Sequence, residues 1–458
     1  MITGSPYHPY RFFLVVLLGV FLSATSACRP ASVYDVDHDG RSNEGMHDPG
    51  KGRTVVVWMS IDGMRHDYLG RVDTPNFDRL IREGAHTLEL DPGFPSLTFP
   101  AHTTQATGVK VEKHGVPSNS FYDSERNRHY RFAGFPDLLQ AEPIWTTAVR
   151  QGVRTAVYDW IKSYNQQQPH AADYFGEGYS GGTTDRERME LILDTWRNDD
   201  AKEPLRLIMG YSVTPDKAGH EYGPDAPETD GAVAEMDKLY GWFVEQIIES
   251  FESRMSSEDE LYLIISTDHG MSPVHHLAHI DRISGVEGRD DVITVTSGNI
   301  GHIFLNLVES DEERTRLESE ILASLGSYDF ARAGRRNELP ERWGYNHPTR
   351  VGDIVVTLDT GFTFSRRVDA DVEPVELHGG PLGMHGYDPE TNPDMLGPAI
   401  FWRYPEPLGG VYLGRIHSLQ LHPTVARILG IEPAEGVTHE PVELENSPPD
   451  EPSPQQLR

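Results

Sequence analysis

Thr54-Val55-Val56-Val57-Trp58-Met59-Ser60-Ile61-Asp62-Gly63 is the stretch whose reading decides the fold. It runs from Thr54 to Ile61 without a charge and is rich in β-branched residues, which marks a strand buried on both faces. The run stops at an aspartate and a glycine, the composition of a tight turn. A strand buried on both faces belongs to a sheet with helices on either side, so strands and helices should alternate along the chain.

Outward from that strand the alternation continues. A helix is marked by Thr74 as cap, Pro75 in its first turn, Phe77, Leu80 and Ile81 on one face, and Gly84 as its stop. Phe94-Pro95-Ser96-Leu97-Thr98-Phe99-Pro100-Ala101-His102 reads as a loop entering a second helix that ends before Gly108. That places Thr98 where free N–H groups favour an anion. Helices are expected over 143–151, 186–196 and 232–251, and strands over 154–158, 205–213 and 261–267. The pattern specifies an α/β fold with a mostly parallel sheet flanked by helices. Residues 273–378 break the rhythm with shorter, more polar strands around a charged helix, and read as an inserted smaller α/β cap. The core, 53–272, resumes over 379–440 with a strand at 399–402 and a closing helix at 423–429. Residues 441–458 are rich in Pro and Glu and read as a disordered tail.

The 458 residues carry a net charge of −31, which argues against binding a phosphate backbone along an open surface. It leaves room for a small phosphate ester in a pocket where bound cations invert the local field. Residues 1–28 are expected to be a targeting segment: Arg11, an apolar run over 12–22, small residues, then Cys28. Cys28 is the single cysteine and stands where a bacterial lipoprotein signal places its modified residue. The mature protein is therefore expected to be exported, at the periplasm or cell surface. A lipid on Cys28 would anchor it to the membrane, with 29–52 as a flexible tether.

The acidic residues that follow the strands carry the chemistry. Asp62, Asp216 and Asp268 each lie at or near the end of an apolar strand, and ligands of such sheets collect at the strands' carboxyl ends. Three converging carboxylates would repel one another unless cations joined them. Histidines accompany them: His220 four residues after Asp216, His269 directly after Asp268, and His385 between Met384 and Gly386. Mixed Asp/His sets suit catalytic zinc better than magnesium or calcium. A threonine beside such a site is a candidate nucleophile.

Asp62-Gly63, Thr98-Phe99-Pro100-Ala101-His102, Pro215-Asp216-Lys217-Ala218-Gly219-His220, Asp268-His269-Gly270-Met271 and Met384-His385-Gly386-Tyr387-Asp388 occur in that order. Together they resemble the nucleotide pyrophosphatase/phosphodiesterase family of the alkaline phosphatase superfamily, over about residues 54–430. The resemblance implies an alkaline-phosphatase-like core and two Zn²⁺ ions. One would be held by Asp216, His220 and His385, the other by Asp62, Asp268, His269 and Thr98. It further implies that Thr98 is the nucleophile of a phosphodiester or phosphoanhydride hydrolase passing through a phospho-threonine. Asn119 and the helix start at Phe99 would stabilise the phosphoryl oxygens. Phe99 and Tyr179 would sandwich the base of a small nucleotide or related ester.

Two stretches depart from the family pattern. Val213-Thr214 stands before Pro215 where acidic residues are common, and residues 158–168 replace a short Trp-Pro-Gly-like turn near the expected base pocket. A phospholipid or phosphonate is thus an alternative substrate. A sulfatase is contradicted by Thr98 and His102, which stand where that chemistry needs a cysteine or serine and an arginine. A metal-bearing binding protein without turnover is the rival from another class. His275, His276 and His279 read as polar loop residues rather than ligands.

Overall fold

A computed structural model describes residues 53–445 except Phe135. The targeting segment 1–28 with Cys28, the tether 29–52 and the tail beyond Glu445 lie outside the described residues. The first described part of the expected tail, 441–445, is packed: Val442 and Leu444 are buried in the core, so the Pro/Glu composition misplaced the tail's start.

The Thr54–Ile61 strand lies between Leu207–Ser212 and Glu260–Thr267, parallel to both. Thr155–Val157 and Tyr174–Phe175 extend the parallel run on one side. On the other side Gly397–Tyr404 enters antiparallel to Glu260–Thr267 and pairs in turn with Ala85–Asp91, a strand that the sequence reading passes over. The register levels the strand ends. Ile61 pairs with both Ser212 and Thr267, so Asp62 and Asp268 leave the sheet side by side.

Alternate residues of the central strand serve two cores, as period-two geometry requires. Val55, Val57, Met59 and Ile61 pack beneath the helices Pro75–Glu83, Asp185–Asn198 and Pro227–Arg254. Val56 and Trp58 face the helices Ile144–Arg150 and Leu421–Leu429. Among the described residues, 273–378 contribute no strand to this large sheet. They form a four-stranded sheet of Ile293–Ser297, Ile300–Phe304, Ile354–Leu358 and Ala331–Arg335, with the helix Asp311–Leu325 packed on it over a separate core.

Two local expectations are corrected. Thr74 makes no side-chain cap; its hydroxyl donates to the Leu69 carbonyl instead. The cap comes from Asp237, a buried carboxylate on the long helix that accepts from the backbone N–H of Asn76 at 3.0 Å and of Phe77 at 2.8 Å. A carboxylate at a helix start satisfies orphan donors and meets the positive dipole end, which compensates its burial. The long helix also begins earlier than its apolar pattern suggests, with Pro227 in its first turn.

Gly63 is required by the turn. Its φ is +68°, and a Cβ there would lie 2.8 Å from the Asp216 backbone, whose N–H donates to the Asp62 carbonyl at 3.1 Å. Gly63→Ala should destabilise the protein by at least about 1–3 kcal/mol, measurable by chemical denaturation. A second prediction concerns acid. Burial holds His302 and His422 down to about 4 from an ordinary 6.5. Each accepts a backbone N–H that protonation would break, His302 Nδ1 from Gly352 at 3.1 Å and His422 Nε2 from Ala434 at 3.0 Å. Between these two pKa values the unfolded chain binds more protons than the native one, so stability is full above about pH 6.5 and declines toward pH 4. Replacing either histidine by glutamine should flatten the fall of the melting temperature over that window.

Candidate active site

The site is built at the carboxyl end of the sheet from five segments. Asp62 ends the central strand, and Asp216 opens the helix Asp216–Tyr222, which also carries His220. Asp268 and His269 follow the strand Glu260–Thr267, and Thr98 starts the helix Thr98–Thr107. His385 follows Gly383–Met384. Gly270 makes the second of these turns possible, because a Cβ there would lie 1.9 Å from the Asp394 carbonyl oxygen.

Two groups of possible ligand atoms result. One comprises Asp62, Asp268 and His269, the other Asp216, His269 and His385, with the atoms of each group within 4.8 Å of one another. His269 Nε2 lies 3.3 Å from Asp62 Oδ1, 3.2 Å from Asp268 Oδ2 and 3.3 Å from the Thr98 hydroxyl. Its ring stacks on His385 with centroids 3.5 Å apart. His220 stands beside the second group, its Nε2 3.4 Å from Asp216 Oδ1, while His385 Nε2 is 3.7 Å from the same oxygen. The structure thus brings together all seven expected ligand residues, and it sets His269 between the two groups.

Orientation of the histidines is uniform. His220 Nδ1 meets the Gly383 carbonyl at 2.7 Å, His269 Nδ1 the Gly270 carbonyl at 2.9 Å, and His385 Nδ1 the Ser96 carbonyl at 3.0 Å. A carbonyl can only accept, so each Nδ1 carries the proton and each Nε2 presents a lone pair to the carboxylates. The carboxylates are half-satisfied in a complementary way. Asp268 Oδ1 accepts from the N–H groups of Gly63 and His269, and Asp62 Oδ2 accepts from the Tyr211 hydroxyl. Asp62 Oδ1, Asp216 Oδ1 and Asp268 Oδ2 are buried without any hydrogen-bond partner. Orphaned oxygens facing imidazole lone pairs form a donor set that fits divalent cations.

Electrostatics point the same way. Burial first, then Asp216 and Asp268, push the Asp62 carboxyl well above the usual range, and burial followed by Asp216 does the same to Asp268. Burial and the neighbouring His385 hold His269 well below its ordinary value, and burial holds His385 down to about 4. Carboxylates that resist ionisation beside imidazoles that resist protonation are what a cation site looks like before its charge is counted.

Around this centre the other expected residues fall into place unevenly. Asn119 Oδ1 accepts from the Phe99 N–H at 2.8 Å, which leaves its amide NH₂ as the donor. That bond corrects the expectation that the helix start at Phe99 serves phosphoryl oxygens, since its N–H is already used and Pro100 has none. The Phe99 ring is nearly buried, whereas Tyr179 is 51% exposed with the Arg188 guanidinium 4.9 Å from its ring centroid. His275, His276 and His279 stay out of both ligand groups, but the loop expected for them is corrected: His275 and His276 lie in the strand Ser272–Ala278, where His276 stacks on Phe362, and His279 follows it. Residues that support the site escaped the sequence reading. Tyr211 holds Asp62. Asp185 accepts from the N–H groups of Val213 and Thr214 at 2.8 and 3.1 Å and so fixes the turn before Asp216. His102 joins Ser60 Oγ at 2.8 Å to the Thr98 carbonyl at 2.8 Å. Hydroxyls near the ends of otherwise apolar buried strands, such as Ser60 and Tyr211, were the available signal.

Comparison with known proteins agrees with this geometry. The family described as type I phosphodiesterase/nucleotide pyrophosphatase matches residues 56–388. An uncharacterised pyrophosphatase/phosphodiesterase of Schizosaccharomyces pombe is 31% identical over 347 residues, covering 73% of this chain and 68% of its own. Human ectonucleotide pyrophosphatase/phosphodiesterase family member 7 is 27% identical over 445 residues, covering 91% and 86%. The structure of inactive murine ectonucleotide pyrophosphatase/phosphodiesterase 5 in complex with AMP superposes with a TM-score of 0.69 at 22% identity, over 85% of this chain and 97% of that one, and shares the fold. With the match spanning most of the described chain and its ends coinciding with the first strand and the His385 segment, this protein belongs to the type I phosphodiesterase/nucleotide pyrophosphatase family of hydrolases.

Proposed function

We propose that the protein is a two-zinc phosphodiesterase/pyrophosphatase that cleaves nucleotides or related small phosphate diesters through a phospho-Thr98 intermediate. The observation that carries this reading is the set of three partnerless buried oxygens, on Asp62, Asp216 and Asp268, next to the Thr98 hydroxyl. Asp216, His220 and His385 would hold one ion, and Asp62, Asp268, His269 and Thr98 the other. Bound zinc supplies Lewis acidity to phosphoryl oxygens and lowers the pKa of hydroxyl groups it touches.

The chain's own residues do the rest. Thr98 Oγ1 gives its proton to solvent and attacks phosphorus, the Oγ1–P bond forming as the bond to the leaving oxygen breaks in line. The Asn119 amide, fixed by its bond from Phe99, donates to a non-bridging oxygen as charge develops there. Water then cleaves the Oγ1–P bond and restores the hydroxyl. Phe99 and Tyr179 flank the organic group. The AMP bound to the murine relative favours a nucleotide over the phospholipid or phosphonate alternative. Export by residues 1–28, with a lipid on Cys28, belongs to the same reading and is supported by the apolar run and the small residues before that cysteine.

Hydrolysis of p-nitrophenyl thymidine 5′-phosphate tests the proposal. Activity should disappear on chelation and return with Zn²⁺. Thr98→Ala should lower kcat by at least about a thousandfold while elemental analysis still finds two zinc ions per chain. A variant retaining normal turnover would assign the nucleophile elsewhere, and a chelator-resistant activity would refute the metal site.

A further inference from the structure

Backbone strain gathers beside the site, away from the metal ligands. Among the described residues six non-glycine positions have positive φ: Asn127, Phe132, Asp159, Lys162, Asn165 and His170. Four fall over 159–170, which overlaps the stretch 158–168 that replaces the short turn expected of the family, and Lys162 of that segment bonds to Ala133, the residue after Phe132. A bulky aromatic residue at φ 45° is an outlier, and such strain persists only where surrounding structure enforces it. Phe132 gains little burial in return, being 59% exposed.

What enforces it is a set of bonds to the candidate catalytic residues. The short strands Ser120–Asp123 and Arg128–Arg131 form a hairpin, and directly beyond its paired ends the Phe132 N–H donates to the Asn119 carbonyl at 2.9 Å. The Phe132 ring meets Phe99 edge to face, with centroids 5.8 Å apart at 81°. From the strained segment, the buried Lys162 reaches the Phe99 ring and the residue that follows Phe132. Its Nζ donates to the Ala133 carbonyl and sits 5.2 Å from the centroid of the Phe99 ring. A lysine spent on one backbone carbonyl and one aromatic face is an expensive way to hold a loop, unless the loop's position matters.

We propose that Phe132 is a specificity-determining residue. With Phe99 it forms an aromatic corner that receives the organic group retained on phosphorus and favours a flat ring, such as a nucleobase, over an alkyl group. Lys162 is the positioning residue that sets the corner's angle. This inference rests on the phosphodiesterase reading above and adds to it a wall drawn from residues outside the family motifs.

The test uses two diesters with a common leaving group, p-nitrophenyl thymidine 5′-phosphate and p-nitrophenyl methyl phosphate. The measured quantity is the ratio of their kcat/KM values. Phe132→Gly removes the ring and relieves the backbone. It should lower that ratio about three- to tenfold, mainly through KM for the thymidine ester, without lowering the melting temperature. Lys162→Met should lower the ratio in the same direction, and the double variant should lose no more than the larger single loss. An unchanged ratio in Phe132→Gly overturns the proposal, as does a loss shared equally by both esters. A zinc-loaded wild-type protein that cleaves neither ester overturns the proposed function itself, and this inference with it.

Discussion

Mutual repulsion among three carboxylates is the constraint around which the molecule is arranged. Asp62, Asp216 and Asp268 are held together by backbone that would gain from letting them part. The register that levels Ile61 with Ser212 and Thr267, and the contact of Gly63 with Asp216, leave them no choice. The sheet is the compressing device. Parallel strands buried on both faces cannot slip without exposing one of two apolar cores, so burial far from the site opposes the repulsion at the site. A divalent cation converts that opposition into attraction, so the same geometry that burdens the free protein would be the most tightly held part of the loaded one.

The surrounding polar groups follow from this constraint. Each carboxylate has one oxygen committed to the protein or left facing the cluster, and each histidine has its proton turned away from it. The division is between groups that fix direction and groups that remain free to bind. Asn119 obeys the same division, with its oxygen tied to Phe99 and its amide left open. The proposed substrate side is built differently. There Phe99, Phe132 and Tyr179 stand on separate segments held by Lys162, Arg188 and strained backbone.

Much of the metal-side geometry was legible in the sequence because it is local. Apolar runs that stop at Asp62 and Asp268 announce strand ends, and a histidine one or four residues on has its position set by turn or helix geometry. The core helices were legible for the same reason, being periodic. What was not legible depends on partners distant in the chain. Thr74 looks like a cap, but Asp237, 163 residues later in the chain, supplies it. The hydroxyl of Tyr211 near a strand end hints at a polar role, but its partner Asp62 is fixed only once two strands are paired. The Ala85–Asp91 strand went unread because its Thr, His and Glu residues mask the alternation. Phe132 lies just past a short hairpin, where a single aromatic residue carries no pattern at all.

The way the three histidines are oriented bears on how such a protein can diverge over evolutionary time. Their Nδ1 protons rest on the carbonyls of Ser96, Gly270 and Gly383, groups that every amino acid possesses. Drift in side-chain identity therefore cannot detune these rings unless it also bends the main chain. The proposed aromatic wall has no such insurance, since each of its parts is a side chain. On that proposal, a lineage built on this plan would exchange what it cleaves by a handful of substitutions while its candidate ion-gripping machinery passed through unaltered.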